Sequence, residues 1–171
     1  EKRESLKEKV EQKREQLKER LEKIKDEKKK EVVERIDRRM DDLNERLLNH
    51  YLNVLNKLDD ILIRIAERAA KVEERGVDVS LVRTGIDKAN SAIASAKAAI
   101  ESQAGKTYTI QVGTEEGLKN DIGRARQSLH NDLVSVRSAV KAAHEAVRSV
   151  ATTLAQISKL TPVPTAEPQN P

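Results

Sequence analysis

LKNDIGRARQSLHNDLVSVRSAVKAAHEAVRSVATTLAQI, residues 118–157, decides the fold. Taking every third or fourth residue gives Leu118, Ile122, Ala125, Leu129, Leu133, Val136, Val140, Ala143, Val147, Val150, Leu154 and Ile157. Each of these is apolar, and an α-helix returns to the same side every 3.6 residues. An unbroken apolar line of this length predicts one long helix with one buried face. Thr114 before it is a good N-cap, and Glu115 and Glu116 place negative charge at the positive end of the helix dipole. Pro162 and Pro164 stop it, so the helix is expected over about 115–160.

Upstream, Val82, Ile86, Ala89, Ile93, Ala96 and Ile100 repeat with the same spacing and predict a second helix over about 79–103. Much of its remaining surface is Ala and Ser, which lets neighbouring helices approach closely. Between the two lies 104–113. There Thr107 to Val112 alternate polar and apolar residues of β-type propensity, bounded by Gly105 and Gly113. No second strand exists to pair with this segment, so it is read as an extended connection. Further upstream, Leu47, Tyr51, Val54, Leu58, Ile61, Ile65 and Val72 form another line, with Arg68 or Ala69 filling the one gap. Leu48, Leu52, Leu55 and Leu62 widen it. A stripe that wide packs against two partners. No Pro or Gly occurs before Gly76, so a single helix is expected over about 1–75, roughly 110 Å long. Gly76 ends it with a left-handed residue, and Asp78 or Ser80 caps the next helix.

Ten extended residues span roughly 33 Å, close to the length by which the third helix outruns the second. The connection therefore climbs along the first helix, with Tyr108, Ile110 and Val112 packing near residues 35–50. The expected fold is all-α: an elongated antiparallel three-helix bundle over 32–160. A charged single-helix arm precedes it at 1–31, and a Pro-rich disordered tail follows at 161–171.

Residues 1–31 carry 13 basic and 10 acidic side chains. Pairs such as Glu4 with Lys7 and Glu19 with Lys23 sit at helical neighbour spacing and stabilise a solvated helix by about 0.2–0.5 kcal/mol each. A sparse line of Leu6, Val10, Leu17, Leu21 and Ile24 makes the arm either a lone charged helix or an oligomer seam. Lys13 and Lys28 interrupt that line.

Composition fits this picture. Charged residues make up 36% of the 171 and aromatics 1%, with no Phe, Trp or Cys. A globular core of this size normally relies on aromatics, whereas Leu, Ile, Val and Ala on a Glu/Lys/Arg background reads as long helices and coiled coil. Without Cys there is no disulfide, thiolate metal site or Cys nucleophile. No apolar run reaches the roughly 18 residues of a membrane span. A first residue of Glu1 fits a mature exported chain or a trimmed one. The net charge of +4 is too small to imply a nucleic-acid partner.

Nothing in the chain is patterned for catalysis, and no cofactor is expected. His130 and His144 share a helix face but stand about 21 Å apart along it, too far to share a metal whose ligands lie near 2 Å. Asp41–Asp42, Asp59–Asp60, Glu73–Glu74 and Glu115–Glu116 are adjacent carboxylates that point about 100° apart on a helix. They lack the enclosed pocket that acid–base work needs. One surface feature stands out: His130, Arg137, Lys141, His144 and Arg148 form a basic stripe beside the core line of the third helix. It either pairs with Asp59, Asp60, Glu67 and Glu74 of the first helix or binds a polyanion such as a cell-wall polymer, anionic lipid or nucleic acid.

The order of these features resembles exported helical, coiled-coil proteins of small-genome bacteria. A Lys/Glu-rich helix like 1–30 comes first, then segments like Glu34-Arg35-Ile36-Asp37 and Lys57-Leu58-Asp59-Asp60-Ile61. An Ala-rich stretch like Val140–Val150 and a Pro/Thr tail follow. The likeness spans most of the chain, rests on no diagnostic motif, and implies export without an assigned activity. The chain is also similar to periplasmic holdase chaperones of the Skp type in its basic charge and coiled-coil arms, although those add a β-sheet trimerisation body. The function expected is therefore a non-enzymatic structural or protein-interaction module outside the cytoplasm, periplasmic or secreted. Self-association would run through the first helix. The alternatives are a holdase chaperone using the wide stripe at Leu47–Leu62, polyanion binding through the basic stripe, and a cytoplasmic location.

Overall fold

The computed structural model describes residues 2–160, with side chains placed from Glu11 to Lys159 and at Glu8. The tail at 161–171 lies outside the described residues. Four helices follow one another: α1 (Lys2–Leu21), α2 (Glu27–Glu73), α3 (Ser80–Ala104) and α4 (Leu118–Leu160). Among the described residues there is no strand.

The single helix expected over 1–75 is two helices, which corrects both its extent and the projecting arm. The chain leaves helical geometry at 22–26. Asp26 then caps α2, its side chain accepting from the backbone N–H of Lys28 and Lys29. From this bend α1 folds back antiparallel to α2, with Arg14, Leu17 and Lys18 set against Glu34, Asp37 and Arg38. Leu17, Leu21 and Ile24 are only 3%, 3% and 1% exposed. At about 2 kcal/mol for each buried aliphatic side chain, they hold α1 down. The expected oligomer seam is corrected with the arm: these three residues are spent inside the chain's own core, and the side chains of Leu6 and Val10 lie outside the described residues.

The connection 105–117 runs between α1 and the first third of α2. Tyr108, Ile110 and Val112 are buried, Ile110 completely. The Ile110 N–H donates to Asp37 at 3.4 Å, Lys13 Nζ donates to the Thr107 carbonyl at 3.3 Å, and Arg20 donates to Gln111. The extended backbone thus finds partners in side chains instead of a sheet. α1 is the lid over this segment.

α2, α3 and α4 pack pairwise. α3 runs antiparallel to the other two: Arg83 pairs with Glu73 and Lys97 with Asp59 on α2, while on α4 Gly85 meets Val150 and Lys106, just past the end of α3, pairs with Asp132. Ala89, Ala96 and Ala143 are fully buried. A Cβ at Gly85 would lie 3.0 Å from Val150 Cγ2, so α3 and α4 meet as closely as their small residues allow. Gly76 has φ 83°, the chain's only positive φ among the described residues. Its N–H closes the end of α2 on the Glu73 carbonyl. α4 starts at Leu118, three residues later than expected, because 115–117 form a turn. Thr114 Oγ1 accepts from the Gly117 N–H at 3.1 Å inside that turn.

Candidate functional site

Two buried or half-buried polar clusters and two open clefts between α2 and α4 are the places where chemistry or binding could occur.

The first cluster joins four segments. Gln103 of α3, 2% exposed, donates to Asn44 of α2 at 3.0 Å and to the Tyr108 hydroxyl at 2.6 Å. That hydroxyl donates to Asp132 of α4, whose other oxygen takes Lys106 at 2.9 Å. Burial, helped by the Asp132 carboxylate, pushes the Tyr108 phenol up to about 12. The Tyr108 hydroxyl and Lys106 hold Asp132 below the usual carboxylate range. Every member is satisfied, so the network fixes register and offers no free acid or base.

The second cluster lies under α1. Asp37 and Asp41 stand one helical turn apart on α2, beneath Lys13 and Arg14. Burial raises Asp37, partly offset by the Ile110 N–H and the two cations. Burial and the neighbouring Asp37 charge raise Asp41 to about 6. The sequence reading paired Asp41 with Asp42, its neighbour in the chain. The spatial partner is Asp37, four residues earlier on the same face. Asp37 lines a small cleft of about 210 Å³ with Leu17 and the charged side chains of Arg14, Lys18, Glu34 and Arg38.

The groove lies between α2 and α4, on the side of α2 turned away from α1. It is an open cleft of about 850 Å³. Its floor is apolar: Ile36, Met40, Leu43 and Leu47 from α2, with Leu129 and Leu133 from α4. Val32 and Val134 lie at its edges, 38% and 46% exposed. Two basic rails flank the floor, Arg35 and Arg39 on α2 and Arg126 and Arg137 on α4, with His130 between the last two. No Asp or Glu lines it. Further along the same two helices a second cleft of about 940 Å³ carries Arg64, Arg68, Lys71 and Arg75 against a single acid, Glu67.

The basic stripe read from the sequence falls at this groove. His130 and Arg137 line it, and Lys141, His144 and Arg148 continue along α4 as exposed side chains. Pairing to acids of α2 is not what the structure has. Asp59 is taken by Lys97 of α3, Lys141 sits 3.6 Å from Glu145 of its own helix, and no ion pair among the described residues joins α2 to α4. The wide stripe at Leu47–Leu62 also has a different fate. Leu48, Leu55, Leu58 and Leu62 are core, while Leu52 and Ile61 stay exposed; upstream, Val32 is exposed and Ile36, Leu43, Leu47 and Tyr51 are half-buried along the groove. Arg35, Arg39 and Arg126 were missed as site residues. Their signal was present: Val32, Ile36, Leu43 and Leu47 make a second apolar line on α2, and Arg35 and Arg39 flank it.

The three histidines are all exposed and do not converge. No group of three His, Asp or Glu among the described residues could hold a metal ion, and no helix is long and apolar enough to cross a membrane. The chain matches no protein-family model, no curated protein and no solved structure.

Proposed function

We propose that this protein is a non-enzymatic, helical protein-interaction module whose docking surface is the α2–α4 groove. One observation carries the reading: an open cleft along Val32–Tyr51 in which half-buried Ile36, Leu43, Leu47 and Tyr51 and exposed Val32 and Val134 have no covering helix, although the chain covers the other side of the same stretch of α2 with α1 and the connection. An apolar floor with a basic rim has the arrangement of an interface core and its polar surround. A groove between two roughly parallel helices has the shape that a third helix fills. The module is assigned to the space outside the cytoplasm on the strength of the resemblance in composition and order described above. The test is a photo-crosslinking residue at Val134 in the native cell, with Ser95 on the exposed side of α3 as control. One discrete protein adduct at Val134 alone supports a dedicated partner. A ladder of many clients supports the holdase alternative. Equal labelling at both positions removes the groove as a docking surface.

A second reading is favoured by the Arg64, Arg68, Lys71 and Arg75 cleft together with the stripe from Arg137 to Arg148: binding of a polyanion along α4. It requires affinity that falls steeply with salt and drops in Arg137→Ala with Lys141→Ala. An unchanged affinity in that double variant removes it.

A further inference from the structure

We infer that the occupant of the α2–α4 groove is an acidic amphipathic helix of a partner protein, an inference that rests on the docking reading above and adds the partner's chemistry. The floor runs from Val32 to Tyr51 along α2, about 28 Å, room for one helix of about 19 residues. A helix in such a groove buries apolar side chains spaced three and four apart and presents its flanking positions to both walls. Here both walls are cationic, Arg35 and Arg39 on one side and Arg126 and Arg137 on the other, with no carboxylate lining the cleft to neutralise them. A partner helix with Glu or Asp at its flanking positions meets complementary charge on both sides. One with Lys or Arg meets like charge on both.

The same charges argue against other occupants. A second copy related by a two-fold axis would bring these cationic walls against each other. An extended polyanion would satisfy the rails and leave Val32, Ile36, Leu43 and Leu47 wet. A flat bilayer surface would meet the rails and stop short of the floor.

The test uses the full chain and three synthetic helices of about 20 residues, a length matched to the groove. The first has Leu at positions three and four apart with Glu at the flanking positions. The second replaces those Glu with Lys. The third keeps the Glu and replaces the Leu with Gln. Vesicles of phosphatidylglycerol and phosphatidylcholine are the membrane arm. Calorimetry should show the Glu/Leu helix binding about tenfold more tightly than the Lys/Leu helix, since several exposed charge pairs together amount to about one tenfold step, and at least about tenfold more tightly than the Glu/Gln helix, which buries no apolar side chain. Arg39→Glu combined with Arg126→Glu should reverse the preference toward the Lys/Leu helix. Both positions are exposed, and an unchanged melting curve verifies that the variant folds. Equal binding of the Glu/Leu and Lys/Leu helices overturns the acidic partner and leaves the docking groove standing. Binding of the Glu/Gln helix as tight as the Glu/Leu helix overturns the helix and points to a polyanion. Binding of vesicles in place of every helix overturns it in favour of a membrane. If no helix and no vesicle binds, the docking reading falls as well.

Discussion

Tyr108 is the residue on which most of the interior depends, in a chain with only two tyrosines and no other aromatic carbocycle. Its ring fills the core, and its hydroxyl links Gln103 to Asp132. Tyr108→Phe keeps the ring and removes the hydroxyl, leaving one bond unmade at the buried Gln103 amide and one at the Asp132 carboxylate. The expected loss is about 1–2 kcal/mol, read as a lower denaturant midpoint with an unchanged m-value. Asp41 gives a pH dependence whose sign can be worked out. In the unfolded chain an Asp ionises near pH 4, whereas burial beside Asp37 keeps Asp41 protonated in the fold up to about 6. Between those values the unfolded state has released a proton that the folded state retains, so stability falls as pH rises through the window and levels off above it. Asp37, also raised, acts in the same direction. Glu115, Asp121 and Asp132 are lowered and act oppositely, but at more acid pH. Asp41→Asn should flatten the decline between pH 4 and 6 in urea melts. An equally steep decline in the variant would mean that Asp41 is ionised throughout.

At the scale of elements, two helix ends show opposite degrees of legibility. The end of α2 was written into the chain as Gly76. Its φ of 83° is costly for any residue with a Cβ, and nothing lies within 4 Å of the place a Cβ would occupy. Gly76→Ala therefore tests backbone strain alone, and about 1 kcal/mol should be lost. A thermal melt reads this directly, and an unchanged midpoint would show that the turn relaxes at no cost. The bend at 22–26 carries no Gly or Pro. Asp26 is the one local signal, an N-cap residue preceding Glu27 in the first turn. It was hidden among charges that suit a continuous helix equally well. The bend is completed from elsewhere in the chain. Glu115 accepts the Lys25 N–H at 3.0 Å and pairs with Lys29 at 2.6 Å. These two partners hold its carboxyl below the usual range, Lys29 first. A residue about ninety positions away is thus part of what turns the chain.

For the whole molecule, the folded-back α1 makes a distance prediction that separates two shapes. Glu11 and Glu45, both exposed, would stand about 51 Å apart in one continuous helix. With α1 laid against α2 they stand within about 25 Å, roughly two helix diameters. Spin labels at these positions should give the short distance, and a population near 51 Å would mean that α1 swings free. If α1 is free, Ile110, Val112 and Tyr108 lose their cover. Truncation before Asp26 should then expose apolar surface to a solvatochromic dye.

The sequence by itself determined that the chain is all-helical, where α3 and α4 lie to within three residues, and which faces of the helices are apolar. Periodicity is a local property, and twelve apolar residues in helical step from Leu118 to Ile157 leave one conformation that buries them. All twelve belong to the core or pack against it. Only the tertiary structure decided three further matters. It divided the first helix, because a bend without Gly or Pro is stable only when distant partners such as Glu115 take up its open backbone groups. It chose Asp37 as the partner of Asp41, because helical neighbours are four residues apart and burial under α1 sets their charge. It also sorted the apolar residues of α2 into core and open groove, because a line such as Val32, Ile36, Leu43 and Leu47 looks the same in sequence whether or not a helix covers it.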